Sequence, residues 1–358
     1  MESDLDNPPR RIALVTNPVD RGGRFFDTSA QAGNRDGLRE PFALLRQLLA
    51  AKSIHLSTLD RWDDLPAHDL VVFQIRDRAT LGEALRRGLG ARTAYLAWEP
   101  PVVEPLHSRE GLHRLAGWFG RILTWDPGAV DGQTFLALHY PHQLGPVLSS
   151  QHPFEDRGLL VNISGNKTSS HPLELYSERE RIISGFEALD PTFELWGPGW
   201  NRSIHPSWRG LAPSKVEVYH RFRFALCLEN MRDTPGYATE KLFDALMRGT
   251  IPVYQGDPLL ASRLPPQAWV DYGSLGSPEA LHEHLSSWTR ERHEQALAAG
   301  AAFLASEAAT PWRAEFLAHQ LELALDLAKH APRTPSPSFG DFAGIRLAWL
   351  RRRLRWTP

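Results

Sequence analysis

The chain is nearly free of cysteine, with Cys227 alone among 358 residues. That excludes an intramolecular disulfide framework and a thiolate zinc cluster, and it suits a reducing compartment, so a cytoplasmic location is expected. No stretch approaches the roughly eighteen uninterrupted apolar residues that a bilayer-spanning helix needs. The amino terminus, Met1-Glu2-Ser3-Asp4-Leu5-Asp6, lacks the basic start and apolar core of a secretory signal, so no cleaved leader is expected. Charge of one sign is not in excess either: 40 Lys and Arg stand against 42 Asp and Glu, a formal net charge of −2, which gives no electrostatic case for a nucleic-acid partner. Metal-binding patterns are missing as well. Asp63-Asp64 reads as solvated surface, and His139 with His142, and His282 with His284, read as structural or surface residues; the second pair lies two apart on a predicted helix and faces apart.

What is present is an ordinary globular composition, 42% hydrophobic and 23% charged, in a chain about twice the usual length of one domain, so two domains are expected. The first half alternates apolar runs with helical periodicity. Residues 11–16, 54–56, 69–75, 93–98 and 121–125 read as buried parallel strands, and 41–51 and 81–89 as helices between them. The glycine-rich, charged stretch 20–37 reads as a loop. Residues 141–156, rich in Pro, His, Gln and Ser and without periodicity, read as a linker. A second alternation follows, with strands at 158–163, 193–196, 222–228 and 251–254 and helices over 174–188 and from about Thr239. Repeated strand–helix–strand units predict parallel sheets with helices on both faces and any site at the carboxyl ends of the strands. The expected division is an amino-terminal domain over 1–148, a second domain over 149–330, and a linker with a basic tail over 331–358. The fold class is α/β, of the kind called GT-B: two Rossmann-like domains whose parallel sheets face a central cleft.

The chemistry concentrates in the second half. The run Phe224-Ala225-Leu226-Cys227-Leu228 ends in Glu229-Asn230, and after a loop Tyr237-Ala238-Thr239 leads into the helix Glu240-Lys241-Leu242-Phe243-Asp244-Ala245. A helix start with free backbone N–H groups and a partial positive charge is what an anionic diphosphate requires, and Lys241 adds a full charge beside it. Gly249 is placed to end that helix before Ile251-Pro252-Val253-Tyr254-Gln255-Gly256. Singly, these pieces have ordinary readings: a solvated helix start, a turn asparagine, a core tyrosine.

In this order, however, they closely resemble the signature of the α-1,3/4-fucosyltransferases, glycosyltransferase family ten, in its bacterial type. The resemblance extends to Asn166-Lys167-Thr168-Ser169-Ser170-His171-Pro172, to Glu174-Leu175-Tyr176-Ser177-Glu178-Arg179 and to Leu195-Trp196-Gly197. More weakly, Trp98-Glu99-Pro100 is similar to the family's Glu-Ser-Pro segment, with Pro100 where Ser is common. The resemblance implies an inverting, metal-independent transfer of L-fucose from GDP-fucose to an oligosaccharide or glycolipid hydroxyl. GlcNAc or Glc in an oligosaccharide or lipopolysaccharide is the expected acceptor and an α-1,3 or α-1,4 bond the product, with no cofactor required. It implies that Asn230 and Tyr237 contact the diphosphate and ribose, that Glu240 holds donor-sugar hydroxyls, that Lys241 and Arg179 bind phosphate, with Arg181 as the rival arginine, and that Glu99 is the general base. A carboxylate beside Trp98 and two prolines would be partly desolvated, which raises its affinity for a proton. The alternatives are a relative using another nucleotide sugar and an inactive nucleotide- or glycan-binding relative.

Residues 345–356 form the other distinctive segment. Arg346, Arg351, Arg352, Arg353 and Arg355 accompany Leu347, Leu350, Leu354, Trp349 and Trp356, the composition of an interfacial amphipathic helix. Two expectations stand side by side: peripheral contact with the cytoplasmic face of a membrane, and packing on the amino-terminal domain.

Overall fold

The computed structural model describes residues 9–29 and 34–354, with Arg35 and Leu354 as main chain only. The acidic start, part of the 20–37 loop, and Arg355 and Trp356 of the tail lie outside the described residues. Two compact units emerge: residues 1–143 together with 313–358, and residues 144–312.

The first unit begins β1 (Arg10–Val15), α1 (Glu40–Ala50), β2 (Ile54–Thr58), β3 (Leu70–Phe73), α2 (Arg78–Arg86), β4 (Thr93–Ala97), α3 (Arg109–Ala116), β5 (Arg121–Thr124) and β6 (Phe135–Ala137). Its six strands are all parallel, in the order β2-β1-β3-β4-β5-β6. Alternation along β1 divides the core, as period-two geometry requires. Ile12 and Leu14 face α1, while Ala13 and Val15 join the core under α2 and α3.

The second unit contains β7 (Gly158–Ile163), α4 (Tyr176–Leu189), β8 (Glu194–Trp196), α5 (Lys215–His220), β9 (Phe222–Leu228), α6 (Glu240–Met247), β10 (Ile251–Gln255), α7 (Pro258–Arg263), β11 (Val270–Asp271), α8 (Tyr272–Leu275), α9 (Pro278–Ser286) and α10 (Arg290–Ala305). Its parallel sheet runs β11-β10-β9-β7-β8. Phe224, Leu226 and Leu228 pack under α4 and α9, and Ala225 and Cys227 under α5 and α6. In both units the chain adds its second strand on one side of the first and its third on the other. This is the doubly wound order, which opens a crevice at the carboxyl ends where the direction reverses.

The chain then returns to the first unit through α11 (Ala314–His330) and α12 (Phe339–Leu354). The expected boundary at residue 330 left α11 with the second domain. Instead Leu317, Leu321, Ala324, Leu325 and Ala328 complete the core beneath α1, and the buried Arg121 donates through Nη2 to the Leu327 carbonyl at 3.2 Å and to that of Ala331, satisfying the end of α11. Period 3.6 shows that a helix has an apolar face but not which sheet receives it.

The tail packs on α2. Ile345 is buried in the first unit's core, Trp349 Nε1 donates to Glu83 Oε2 at 2.6 Å, and Arg352 pairs with Asp77 at 2.5 Å. Gly82 permits this approach, since a Cβ there would stand 2.9 Å from Trp349 Cβ. The outer face of α12 leaves Phe339, Phe342, Leu347 and Leu350 exposed. Among the described residues no helix is long and apolar enough to cross a membrane.

Candidate functional site

The direction of the second sheet reverses between β7 and β9, and the Glu229-Asn230 motif stands at the carboxyl end of β9. Glu229 is fully buried. Its main-chain N–H donates to the Gln255 carbonyl at 2.9 Å, extending the β9–β10 ladder by one bond. Its carboxylate gathers the start of α6: Oε1 accepts from the Thr239 N–H at 2.8 Å, and Oε2 from the Thr239 hydroxyl at 2.7 Å and from Lys241 Nζ at 2.8 Å. Thr239 occupies the N-cap position of α6, yet its side chain makes no capping bond to the α6 main chain. Its hydroxyl is committed to Glu229 and also accepts from Lys241 at 2.8 Å.

A buried acid ties the loop before this helix as well. Asp257 Oδ1 accepts from the Gly236 N–H at 2.7 Å and from the Leu259 N–H at 2.8 Å. Burial raises its affinity for a proton, with these backbone bonds opposing. Gly256 is a steric requirement, because a Cβ there would lie 2.4 Å from Glu229 Cγ. The Cys227 thiol is fully buried and pushed far above its ordinary range by that burial, which makes it an inert part of the core.

Several residues singled out from the sequence meet here. Asn230 Nδ2 donates to the Tyr237 hydroxyl at 3.0 Å, both side chains being buried. Glu240 is half-buried and lies 4.0 Å from Lys215 Nζ, which also pairs with Asp244 at 2.5 Å. Burial would lower the Lys215 affinity for its proton, but Asp244 and then Glu240 outweigh it and the net shift is upward.

The two arginines differ. Arg179 is only 3% exposed, with its guanidinium over the Tyr176 ring at 5.6 Å, and donates through Nη2 to the carbonyls of Leu228 at 2.7 Å and Glu229 at 3.1 Å. It braces the end of β9 from beneath. Arg181 is exposed and engaged with Glu178 at 2.5 Å, the Tyr272 hydroxyl at 2.9 Å and the Gly276 carbonyl at 2.8 Å. One helix, two residues apart, sends them to different surroundings.

Glu99 belongs to the first unit, two residues beyond β4. Trp98 turns inward, edge-on to Phe42 at 6.4 Å and against Tyr140 at 5.3 Å, so the next side chain turns outward. Glu99 is exposed, not withdrawn from water as its neighbours suggest; Trp98 and Pro100 are spent on packing and do not cover it. The histidine pairs match their bland reading: His139 lies against Phe316, His282 against Phe186 and His284 against Trp288.

Sequence reasoning overlooked Lys215 and Asp257, and it treated Glu229 only as part of a motif. For Glu229 a signal existed, an acid directly after the apolar run Phe224–Leu228. Lys215 lies on a separate short helix and no spacing ties it to Glu240. A cavity of about 640 Å³ opens at the opposite, amino-terminal edge of this sheet. Its Arg221 and Arg209 are answered by Glu194, and it holds none of the motif residues.

Comparison with known proteins agrees with this geometry. Residues 166–296 match the family model described as glycosyltransferase family 10 (fucosyltransferase), C-terminal. An α-(1,3)-fucosyltransferase of Helicobacter pylori is 40% identical over 91 residues, a match that spans 24% of this chain and only 19% of that relative. Among solved structures, an α1,3-fucosyltransferase with GDP superposes with a TM-score of 0.50 at 15% identity, over 99% of this chain and 93% of that one. A DNA-modifying β-glucosyltransferase superposes with a TM-score of 0.53 at 12% identity, over 88% and 100%. At such identities the structures establish the fold, two Rossmann-like units of the GT-B class. The segment 166–296, with the whole Glu229–Lys241 network inside it, is similar to the carboxyl-terminal part of glycosyltransferase family 10.

Proposed function

We propose that this protein transfers L-fucose from GDP-fucose to a hydroxyl of a glycan acceptor, GlcNAc or Glc in an oligosaccharide or lipopolysaccharide, forming an α-1,3 or α-1,4 bond with inversion. The observation that carries this reading is the Glu229–Thr239–Lys241 network, which holds a cation at the start of α6 within the family-matched segment. Lys241 and the α6 amides stabilise the diphosphate, Asn230 and Tyr237 hold its ribose end, and Glu240 accepts hydrogen bonds from the sugar hydroxyls. Arg179 is the phosphate-side arginine of this proposal in preference to Arg181, because it is tied to the carbonyl of Glu229.

In the reaction the acceptor oxygen bonds to the anomeric carbon as the bond from that carbon to the diphosphate breaks. Glu99 takes the acceptor proton and GDP departs with the electron pair. The leaving group is already anionic, so it needs cations rather than a general acid. Those cations are side chains, and activity retained in excess chelator is the corresponding expectation. The basic, partly apolar outer face of α12, with Arg346, Arg351 and Arg353 beside its exposed leucines and phenylalanines, is proposed for peripheral contact with an anionic cytoplasmic membrane face. Co-sedimentation with anionic but not neutral vesicles tests it.

The deciding experiment is product analysis by mass and linkage after incubation with GDP-fucose and a panel of N-acetyllactosamine-type and lipopolysaccharide acceptors. A fucosylated product is expected. Transfer from a different nucleotide sugar alone would replace the donor assignment, and nucleotide binding without any turnover would make the protein an inactive relative.

A further inference from the structure

We infer that His107, oriented by Tyr95, is a positioning residue that aims the Glu99 carboxylate; this rests on reading Glu99 as the group that takes the acceptor proton. Glu99 stands on no regular element. β4 ends at Ala97, and Glu99 lies in a bend with its side chain exposed. A carboxylate can be aimed no better than its main chain is fixed, and a displacement of about 1 Å at a reacting group can cost on the order of 100-fold in rate.

The fixing point is the Glu99 carbonyl. It accepts from His107 Nδ1 at 2.6 Å and, more weakly, from Trp125 Nε1 at 3.4 Å. A carbonyl can only accept, so Nδ1 carries the proton and the neutral ring presents Nε2 as an acceptor. That position faces the Tyr95 hydroxyl at 3.0 Å. The direction of donation is thereby set along the whole chain, from Tyr95 O–H to Nε2 and from Nδ1–H to the Glu99 carbonyl.

Each member is anchored. Tyr95 lies inside β4, 4% exposed, stacked on Phe119 with ring centres 5.0 Å apart. His107 is likewise buried and closes a short turn, Pro105–His107, whose start is capped by Glu104. Glu104 is itself held by Arg76 at 3.1 Å. Burial lowers the imidazole's affinity for a second proton, which keeps the ring in the neutral form that both bonds require. A rigid strand is thus connected through one ring to the bend that presents Glu99.

The test uses the full chain and reads kcat and KM per folded molecule, with the folded fraction measured by nucleotide binding. His107→Leu removes both bonds and should lower kcat about 10- to 100-fold while KM for the nucleotide sugar changes by no more than about twofold. His107→Asn, whose amide can donate where Nδ1 does, should recover most of that loss. Tyr95→Phe should lower kcat by roughly three- to tenfold. A His107→Leu protein whose thermal midpoint falls while kcat per folded molecule stays within about twofold of the parent overturns the inference, because the ring would then serve stability alone. Should His107→Leu fail to fold, Tyr95→Phe decides: lowered kcat supports the inference and unchanged kcat defeats it. Glu99→Gln separates the two readings. If that variant keeps full activity, the assignment of Glu99 fails; if it is inactive while the His107 variants are unaffected, only the positioning role fails.

Discussion

The two corners that carry the proposed chemistry solve the same problem with opposite parts of an acidic residue. In the second unit Glu229 spends its carboxylate inward, fully buried, to hold Thr239 and Lys241. In the first unit Glu99 spends its carbonyl inward, on His107, and leaves its carboxylate exposed. The Glu229 corner sits where its sheet reverses direction; the Glu99 corner follows β4, one strand beyond the corresponding reversal beside β3. A residue that organises cations for an anion can be buried and paired. One that must accept a proton needs its side chain open to solvent, and its backbone can then be the part that is tied down.

The strongest way to break this contrast is Glu99→Gln. It should lower kcat by about 10²- to 10⁴-fold with GDP affinity and thermal midpoint unchanged, as measured by steady-state kinetics and thermal shift; equal losses in both would mean that Glu99 is structural. Glu229→Ala should do the reverse. It strands the Thr239 amide and Lys241 without their buried acceptor and should cost about 3–5 kcal/mol of stability in denaturant unfolding.

Lys241→Ala is expected to have a smaller effect, weakening GDP binding by about 1.5–3 kcal/mol, the value of a hydrogen bond to a charged group, in titration calorimetry. Smallest is a pH effect on the tail. The Glu83 carboxyl is held down to about 2, chiefly by Arg86 and then by Arg87 and Trp349, and Asp341 to about 2, chiefly by Arg114. Both lie below their ordinary 4.5 and 3.8. Groups lowered in the folded state contribute stability that is complete above those ordinary values and lost as pH falls toward 2. Docking of α12 should therefore weaken across that acid window, read as increased proteolytic cleavage near residue 335, while the Glu229 corner, held by bonds to Thr239 and Lys241, should keep its nucleotide affinity down to the top of the window.

Most strands were legible because they are buried on both faces and therefore read as continuous apolar runs. β6 and β11, of three and two residues, are too short for any period to show. α3 was overlooked, its Leu112 and Leu115 being few among charged neighbours. At the site, the hydrogen bond between Asn230 and Tyr237 follows from a motif readable as a string. The salt link from Lys215 to Asp244 joins residues 29 apart and depends on where α5 lands beside α6. Exposure of Glu99 was misjudged for a related reason: an aromatic neighbour in sequence shields a carboxylate only if its ring turns the same way.

By itself the sequence determined the two rounds of strand and helix and the resemblance of 166–296 to its family, because each depends on local periodicity or an ordered string of residues. Tertiary structure alone decided that α11 and α12 belong to the first unit, that Arg179 is buried beneath β9 while Arg181 is not, and that His107 reaches back to the Glu99 carbonyl. Those outcomes depend on which surfaces meet. An apolar stripe, a guanidinium or an imidazole is compatible with many partners until packing selects one.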